Sequence, residues 1–188
     1  MVSSDMAAWE AAVAELASGG AKSLRRARVA PAASTPMVAR LEFDPSATVG
    51  LPWVYSADGT TATFSHETER KWCIARASTP IPKRSGRVTF YLRINALSSR
   101  GHIFVGLAAP EETLDGNYLG KSNHSYGFLV NGDLYYGSSR VRSGYCRRRS
   151  AGEVIAVVYD TNLGQLSFLD PLDPSSATKF GVAFPDVD

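Results

Sequence analysis

The chain has 188 residues, 44% hydrophobic and 20% charged, with 20 Lys+Arg against 18 Asp+Glu for a formal net charge of +2. That length suits one domain whose core stands without disulfide or metal staples, and the balanced charge argues against nucleic acid or an anionic membrane as the default partner. No apolar run approaches the ~18 residues needed to cross a bilayer, and Asp5, Glu10 and Glu15 stand where a targeting peptide would be basic or apolar, so the expectation is a soluble protein, cytoplasmic or nuclear.

Met6, Trp9, Val13 and Leu16 recur at spacings of three and four, which places them on one face of a helix over residues 1–20. Ser4 or Asp5 can cap its start, and Gly19-Gly20 ends it. Its apolar face either anchors on the following domain or docks a partner, which would place the chain in a larger complex. Residues 21–37 carry Lys22, Arg25, Arg26 and Arg28, then Pro31 and Pro36 among small residues, the texture of a basic Pro-Ala linker.

Residues 38–188 predict only strands. Short runs at 38–43, 53–55 and 61–65 are bounded by Pro and Gly, and Ala57-Asp58-Gly59-Thr60 carries a hairpin turn signal. Val88, Phe90, Leu92 and Ile94 alternate with Thr89, Tyr91 and Arg93, so that strand buries one face. The strand at 102–108 follows, with Ile103, Val105 and Leu107 inward. Strands at 126–130 and 133–136 flank Asn131-Gly132, and strands at 154–159 and 165–169 flank a turn at 160–164. Short strands at this spacing make a sandwich or a barrel, and the fold class is all-β.

Catalysis finds little to work with. His66, His102 and His124 are the three imidazoles, none in His-x-x-x-His spacing. Cys73 and Cys146 lie in separate segments without paired metal-ligand spacing. Two reduced thiols are the expectation, with a Cys73–Cys146 disulfide as the alternative. Ser143-Gly144 lacks the Gly-x-Ser-x-Gly elbow of a nucleophile. His124 and Ser125 are neighbours on a strand and therefore point to opposite faces. No helix is predicted after Gly116–Gly120, as a phosphate loop requires. The expectation is a binding domain, not an enzyme, with no metal and no cofactor.

Several segments carry a family resemblance. Gly86-Arg87-Val88-Thr89-Phe90-Tyr91-Leu92-Arg93-Ile94 resembles the Gly-plus-aromatic strand that opens the central part of SPRY (B30.2) domains. His102-Ile103-Phe104-Val105-Gly106-Leu107-Ala108 is similar to the family's next strand. Tyr118-Leu119-Gly120, followed by Ser125-Tyr126-Gly127-Phe128, resembles its Leu-Gly and Ser-aromatic-Gly-aromatic segment, the most specific piece. Residues 151–160 match a further strand with Glu153 in place of the usual Asp. Gly164-Gln165-Leu166-Ser167-Phe168 and Gly181-Val182-Ala183-Phe184 complete the set. The motifs keep the family's order over residues 58–184, about two thirds of the chain, and the resemblance implies two packed antiparallel sheets.

Two features depart from the family. A Tyr-Pro-Ala strand normally follows the Gly181–Phe184 element, whereas here the sequence stops at Asp188, so either it is a fragment or the last strand is supplied differently. Leu169-Asp170-Pro171-Leu172-Asp173-Pro174 is longer and richer in proline than the family's turn at that place.

The resemblance also implies where a partner binds. SPRY domains hold short peptides with the loop before the Cys-Ile strand and the loop before the Leu-Gly segment. Here these supply Thr68, Glu69, Arg70 and Lys71, and Asn117 and Tyr118. Tyr118 offers a flat contact with a polar tip, while Arg70 and Lys71 suit carboxylates and carbonyls. A second candidate is a basic patch of Arg140, Arg142, Tyr145, Arg147, Arg148 and Arg149. It suits an acidic peptide, phosphate or RNA, unless it is only a hairpin connection with its charges in water. The strand aromatics Tyr126, Phe128, Phe168 and Phe184 are core. The expected partner is a protein or short peptide, and the expected role an adaptor or scaffold subunit, with ubiquitin-ligase substrate recognition as one form of it. The alternatives are lectin-like glycan binding, RNA or acidic-ligand binding through residues 140–149, and a structural subunit docked by the N-terminal helix.

Overall fold

The computed structural model describes residues 37–38, 41–48, 50–64, 72–97, 102–173 and 175–187. The helix expected over 1–20 and nearly all of the expected linker lie outside them. Ten strands lie among the described residues: β1 (Met37–Val38), β2 (Trp53–Tyr55), β3 (Ala62–Phe64), β4 (Arg87–Arg93), β5 (Phe104–Ala108), β6 (Ser125–Leu129), β7 (Leu134–Tyr136), β8 (Ser139–Arg142), β9 (Val154–Asp160) and β10 (Gln165–Leu169). A short helix, α1 (Ser176–Phe180), follows β10, and one 3-10 turn precedes β2.

The alternation in β4 sets the first sheet. Val88 and Phe90 are buried while Arg87 and Arg93 face water, and β4 pairs antiparallel with β9 from Arg87↔Asp160 to Arg93↔Val154. β10 lies antiparallel on the far side of β9, giving the order β1-β4-β9-β10. β1 runs parallel to β4, a departure from the expected wholly antiparallel arrangement. The second sheet runs β5-β6-β7-β8, and β2 and β3 form a separate hairpin.

The sheets pack face to face. Phe90, Ile155, Val157, Leu166 and Phe168 from the first meet Val105, Phe128 and Leu134 from the second in one buried cluster. Phe128 stacks on Phe168 across the gap with ring centroids 5.0 Å apart, and each such ring contributes roughly 1.5–3 kcal/mol by leaving water. The segment after α1 closes the edge at β10. Leu166 and Phe184 exchange backbone hydrogen bonds of 2.9 and 3.1 Å, and Phe184 and Val187 join the core.

Three further elements differ from the sequence expectation. Among the described residues of the strand expected over 38–43, only Val38 lies in a strand, and Phe43 makes an isolated bridge to Ala77. Residues 140–149 were expected to form a loop, yet they begin inside β8, whose four residues are all exposed and so show no apolar alternation. The unusual 169–174 stretch leads into α1, a helix in a region predicted to hold only strands.

Candidate functional site

The outer face of the second sheet carries an aromatic platform. Phe104 on β5 alternates with buried Val105, and Tyr135 on β7 alternates with buried Leu134, so both rings point away from the core. Between them lies Gly127 of β6, paired with Gly106 on one side and Tyr135 on the other. A side chain at Gly127 would sit 2.0 Å from the Leu119 carbonyl oxygen, and one at Gly120 would sit 2.3 Å from that of Tyr135. These glycines let the 118–120 segment lie flat on the sheet. Gly120 also needs its φ of +88°, which other residues rarely adopt.

Tyr118 is thereby set onto the platform. Its ring stacks on Phe104 at 4.8 Å and 25° and lies 6.2 Å from Tyr135. Trp72 closes the group, 5.2 Å from Tyr118 and 5.6 Å from Phe104, with His102 5.9 Å beyond it. Trp72 is 38% exposed, His102 is exposed, and the other three rings are half-buried. The backbone sets the start of the Cys-Ile segment beside the 112–118 loop: Cys73 bridges to Asp115, and the Ile74 N–H donates to the Leu114 carbonyl at 2.8 Å.

A buried carboxylate holds the 112–125 loop in shape. Glu112 accepts from the Asn117 side-chain amide at 2.6 Å, from the Thr113 N–H at 3.0 Å and from the Ser122 hydroxyl. Burial pushes its pKa up, but these donors together with Ser125 outweigh burial and leave it below the usual range. Ser125 is fully buried and accepts the Gly120 N–H at 2.9 Å. Arg76 donates to the carbonyls of Ala109, Pro110 and Glu112, pinning the start of the loop. Lys121-Ser122 follows Gly120, but no helix begins there. Lys121 instead donates to the Gly116 carbonyl at 2.9 Å, so this is a closed structural loop and not a phosphate cradle.

Of the expected peptide-site residues, Tyr118 lies in the platform. Asn117 is corrected: it is 9% exposed, turned inward onto Glu112, and supports the loop from within. Thr68, Glu69, Arg70 and Lys71 lie outside the described residues. Trp72, Phe104 and Tyr135 were not anticipated. For Phe104 and Tyr135 the signal was a large aromatic on the outward position of a strand, with Gly127 on the strand between them; Trp72 stands outside the strands.

The expected basic patch is not one surface. Tyr145 is 2% exposed. Its hydroxyl donates to the Gly181 carbonyl at 2.7 Å, and burial pushes its pKa up to about 12. Arg149 is 1% exposed and pairs with Asp170 at 2.5 Å. Arg147 pairs with Glu153 at 2.6 Å and Asp170 at 3.1 Å, and Arg140 with Asp133 at 3.3 Å. Among the described residues, only Arg142 and Arg148 of the five arginines are exposed without a carboxylate within 4 Å. Cys73 is half-buried, Cys146 is buried, and no disulfide joins them. Among the described residues, no three His, Cys, Asp or Glu side chains are grouped to hold a metal ion, and no helix is long and apolar enough to cross a membrane.

No family model matches the chain, and no curated protein matches it in sequence. Among solved structures the chain is similar to the crystal structure of the TRIM65 PSpry domain, with a TM-score of 0.54 and 15% identity over 75% of this chain and 81% of that one. The likeness shows the fold alone: an all-β sandwich of the SPRY type.

Proposed function

We propose that the chain is a non-catalytic protein-interaction module that holds a short peptide on the platform of Trp72, Phe104 and Tyr118, as an adaptor or scaffold subunit. The observation that carries this reading is the run of contacting rings from His102 through Trp72, Phe104 and Tyr118 to Tyr135. Aromatic side chains give large contact area for little lost entropy and dominate binding energies at interfaces. The Glu112 network adds pre-organisation, which reduces the ordering cost of binding. Arg70 and Lys71, adjacent in sequence to Trp72, supply the polar rim in this reading. Substrate recognition for a ubiquitin ligase is its narrower form and rests on the SPRY resemblance alone.

The test is peptide selection from a displayed library against the wild-type chain, followed by affinity measurements on Trp72→Ala, Tyr118→Ala and Arg70→Ala. Exposed Arg87 on the other sheet, as Arg87→Ala, serves as the control. Each platform substitution is expected to weaken binding by about 2 kcal/mol, roughly thirtyfold, and Arg70→Ala by less. Selected peptides that bind wild type and both platform variants equally would show that the site lies elsewhere.

A further inference from the structure

A second surface is built where β8 meets α1. A cleft of about 510 Å³ opens there, with Tyr145, Cys146 and Phe180 among its lining and Arg142, Arg147 and Lys179 around it. Its carboxylates are already engaged: Asp170 by Arg147 and Arg149, and Asp173 by the hydroxyl and N–H of Ser175. Two of its cations make no close ion pair, although Lys179 lies near enough to Asp173 to help hold that carboxyl down. Among the described residues Arg142 and Lys179 have no carboxylate within 4 Å. Each is instead braced on an aromatic ring: Arg142 lies 5.1 Å above Tyr145 and Lys179 5.7 Å above Phe180.

Arg142 ends β8, and among the described residues β8 ends its sheet. All four of its residues are exposed, including Val141 at 51%. An edge strand is a template for another strand. The charge along it decides which: Arg140 and Arg142 would oppose their own copies across a self-paired edge but attract an acidic chain.

We propose that β8 and the adjoining cleft form a second binding site for an extended acidic segment of a protein partner. The segment adds a strand to the free edge of β8, and one of its Asp or Glu carboxylates enters the cleft between Arg142 and Lys179. The site is separate from the aromatic platform, so each reading can fail without the other.

The test uses the ¹⁵N-labelled full chain titrated with a short peptide alternating Glu and Val, the same peptide with Gln for Glu, and an oligouridylate. The Glu-Val peptide is expected to shift the amides of Ser139, Arg140, Val141, Arg142 and Lys179 and to slow hydrogen exchange along β8. The Gln peptide is expected to bind about tenfold more weakly or worse, and the double charge reversal Arg142→Glu, Lys179→Glu to have a similar effect. Both reversed residues are at the surface, and a cooperative thermal transition of the variant shows that it folds. Equal binding of the two peptides, shifts confined to the Trp72–Tyr118 platform, or no effect of the reversal would overturn the proposal. Tighter binding of the oligouridylate at the same amides would overturn it in favour of RNA.

Discussion

Arg149 shows how little a run of arginines says about any one of them. Its guanidinium is almost fully buried against Asp170, and its Nε has no hydrogen-bond partner. Desolvating such an ion costs several kcal/mol, which its partner must offset. The partner comes from the proline-rich 169–174 stretch, so the two segments that look unusual in the sequence explain each other: one supplies the buried cation and the other its anion. Removing the anion strands Arg149, with Arg147 left half-paired. Asp170→Ala is therefore expected to lower stability by about 3–5 kcal/mol, measured by urea unfolding. Arg149→Met should cost less, because Asp170 keeps Arg147 and the Leu172 N–H. A Arg149→Met, Asp170→Ala double variant more stable than Asp170→Ala alone would confirm that the stranded charge carries the cost, and additive losses would refute it.

At the scale of elements, the Leu-Gly and Ser-Tyr-Gly-Phe motifs were legible as a pattern, but their physical reason was not. Ser125 exists to take the Gly120 N–H, and Gly127 exists to let Leu119 pass above it. Any Cβ at Gly127 meets backbone, which cannot turn aside as a long side chain would. Gly127→Ala is expected to destabilise by about 1–3 kcal/mol through overpacking and to lift Tyr118 off Phe104, with loss of platform binding. A variant that retains full peptide affinity would mean that the segment is not positioned by this contact. The strands legible in the sequence, β2 to β7, β9 and β10, carry apolar alternation or a turn signal. β8 buries no residue and so shows no apolar face, even though a tight Gly137-Ser138 turn joins it to β7 with Tyr136 opposite Ser139, and α1 is too short, at five residues, for helical periodicity to show. The platform was half legible. Tyr118 stood in a loop, where sites are sought, while Phe104 and Tyr135 stood on strands, where aromatics read as core.

For the whole molecule, ionisable groups bound the pH range in which the sandwich holds. On the acid side, burial pushes Glu112, Asp133 and Asp170 up, but their hydrogen-bond donors and arginines outweigh it and leave all three below their ordinary values. The Arg147 guanidinium holds Glu153 down as well, and exposed Asp58 is held at about 2 by Ser56 and Thr60. A carboxylate whose pKa falls on folding stabilises the native state above its unfolded value, near 4, and that contribution is lost as pH drops through the folded value. On the alkaline side the sign is reversed. Burial raises Tyr145 to about 12, so its neutral phenol stabilises the fold below its unfolded value near 10, and the contribution disappears as pH climbs from there towards 12. Stability is therefore expected to be flat between about pH 5 and 9 and to fall on both sides, as read from urea unfolding across pH. The two limbs have different owners. Glu112→Gln should flatten part of the acid limb and leave the alkaline one alone. Tyr145→Phe should lower the plateau, because the Gly181 carbonyl loses its donor, yet make the alkaline decline shallower. If Tyr145→Phe declines as steeply as wild type above pH 10, the buried phenol is not what the fold loses there, and the partly buried Tyr55 and Tyr91, also raised by burial, become the groups to replace next.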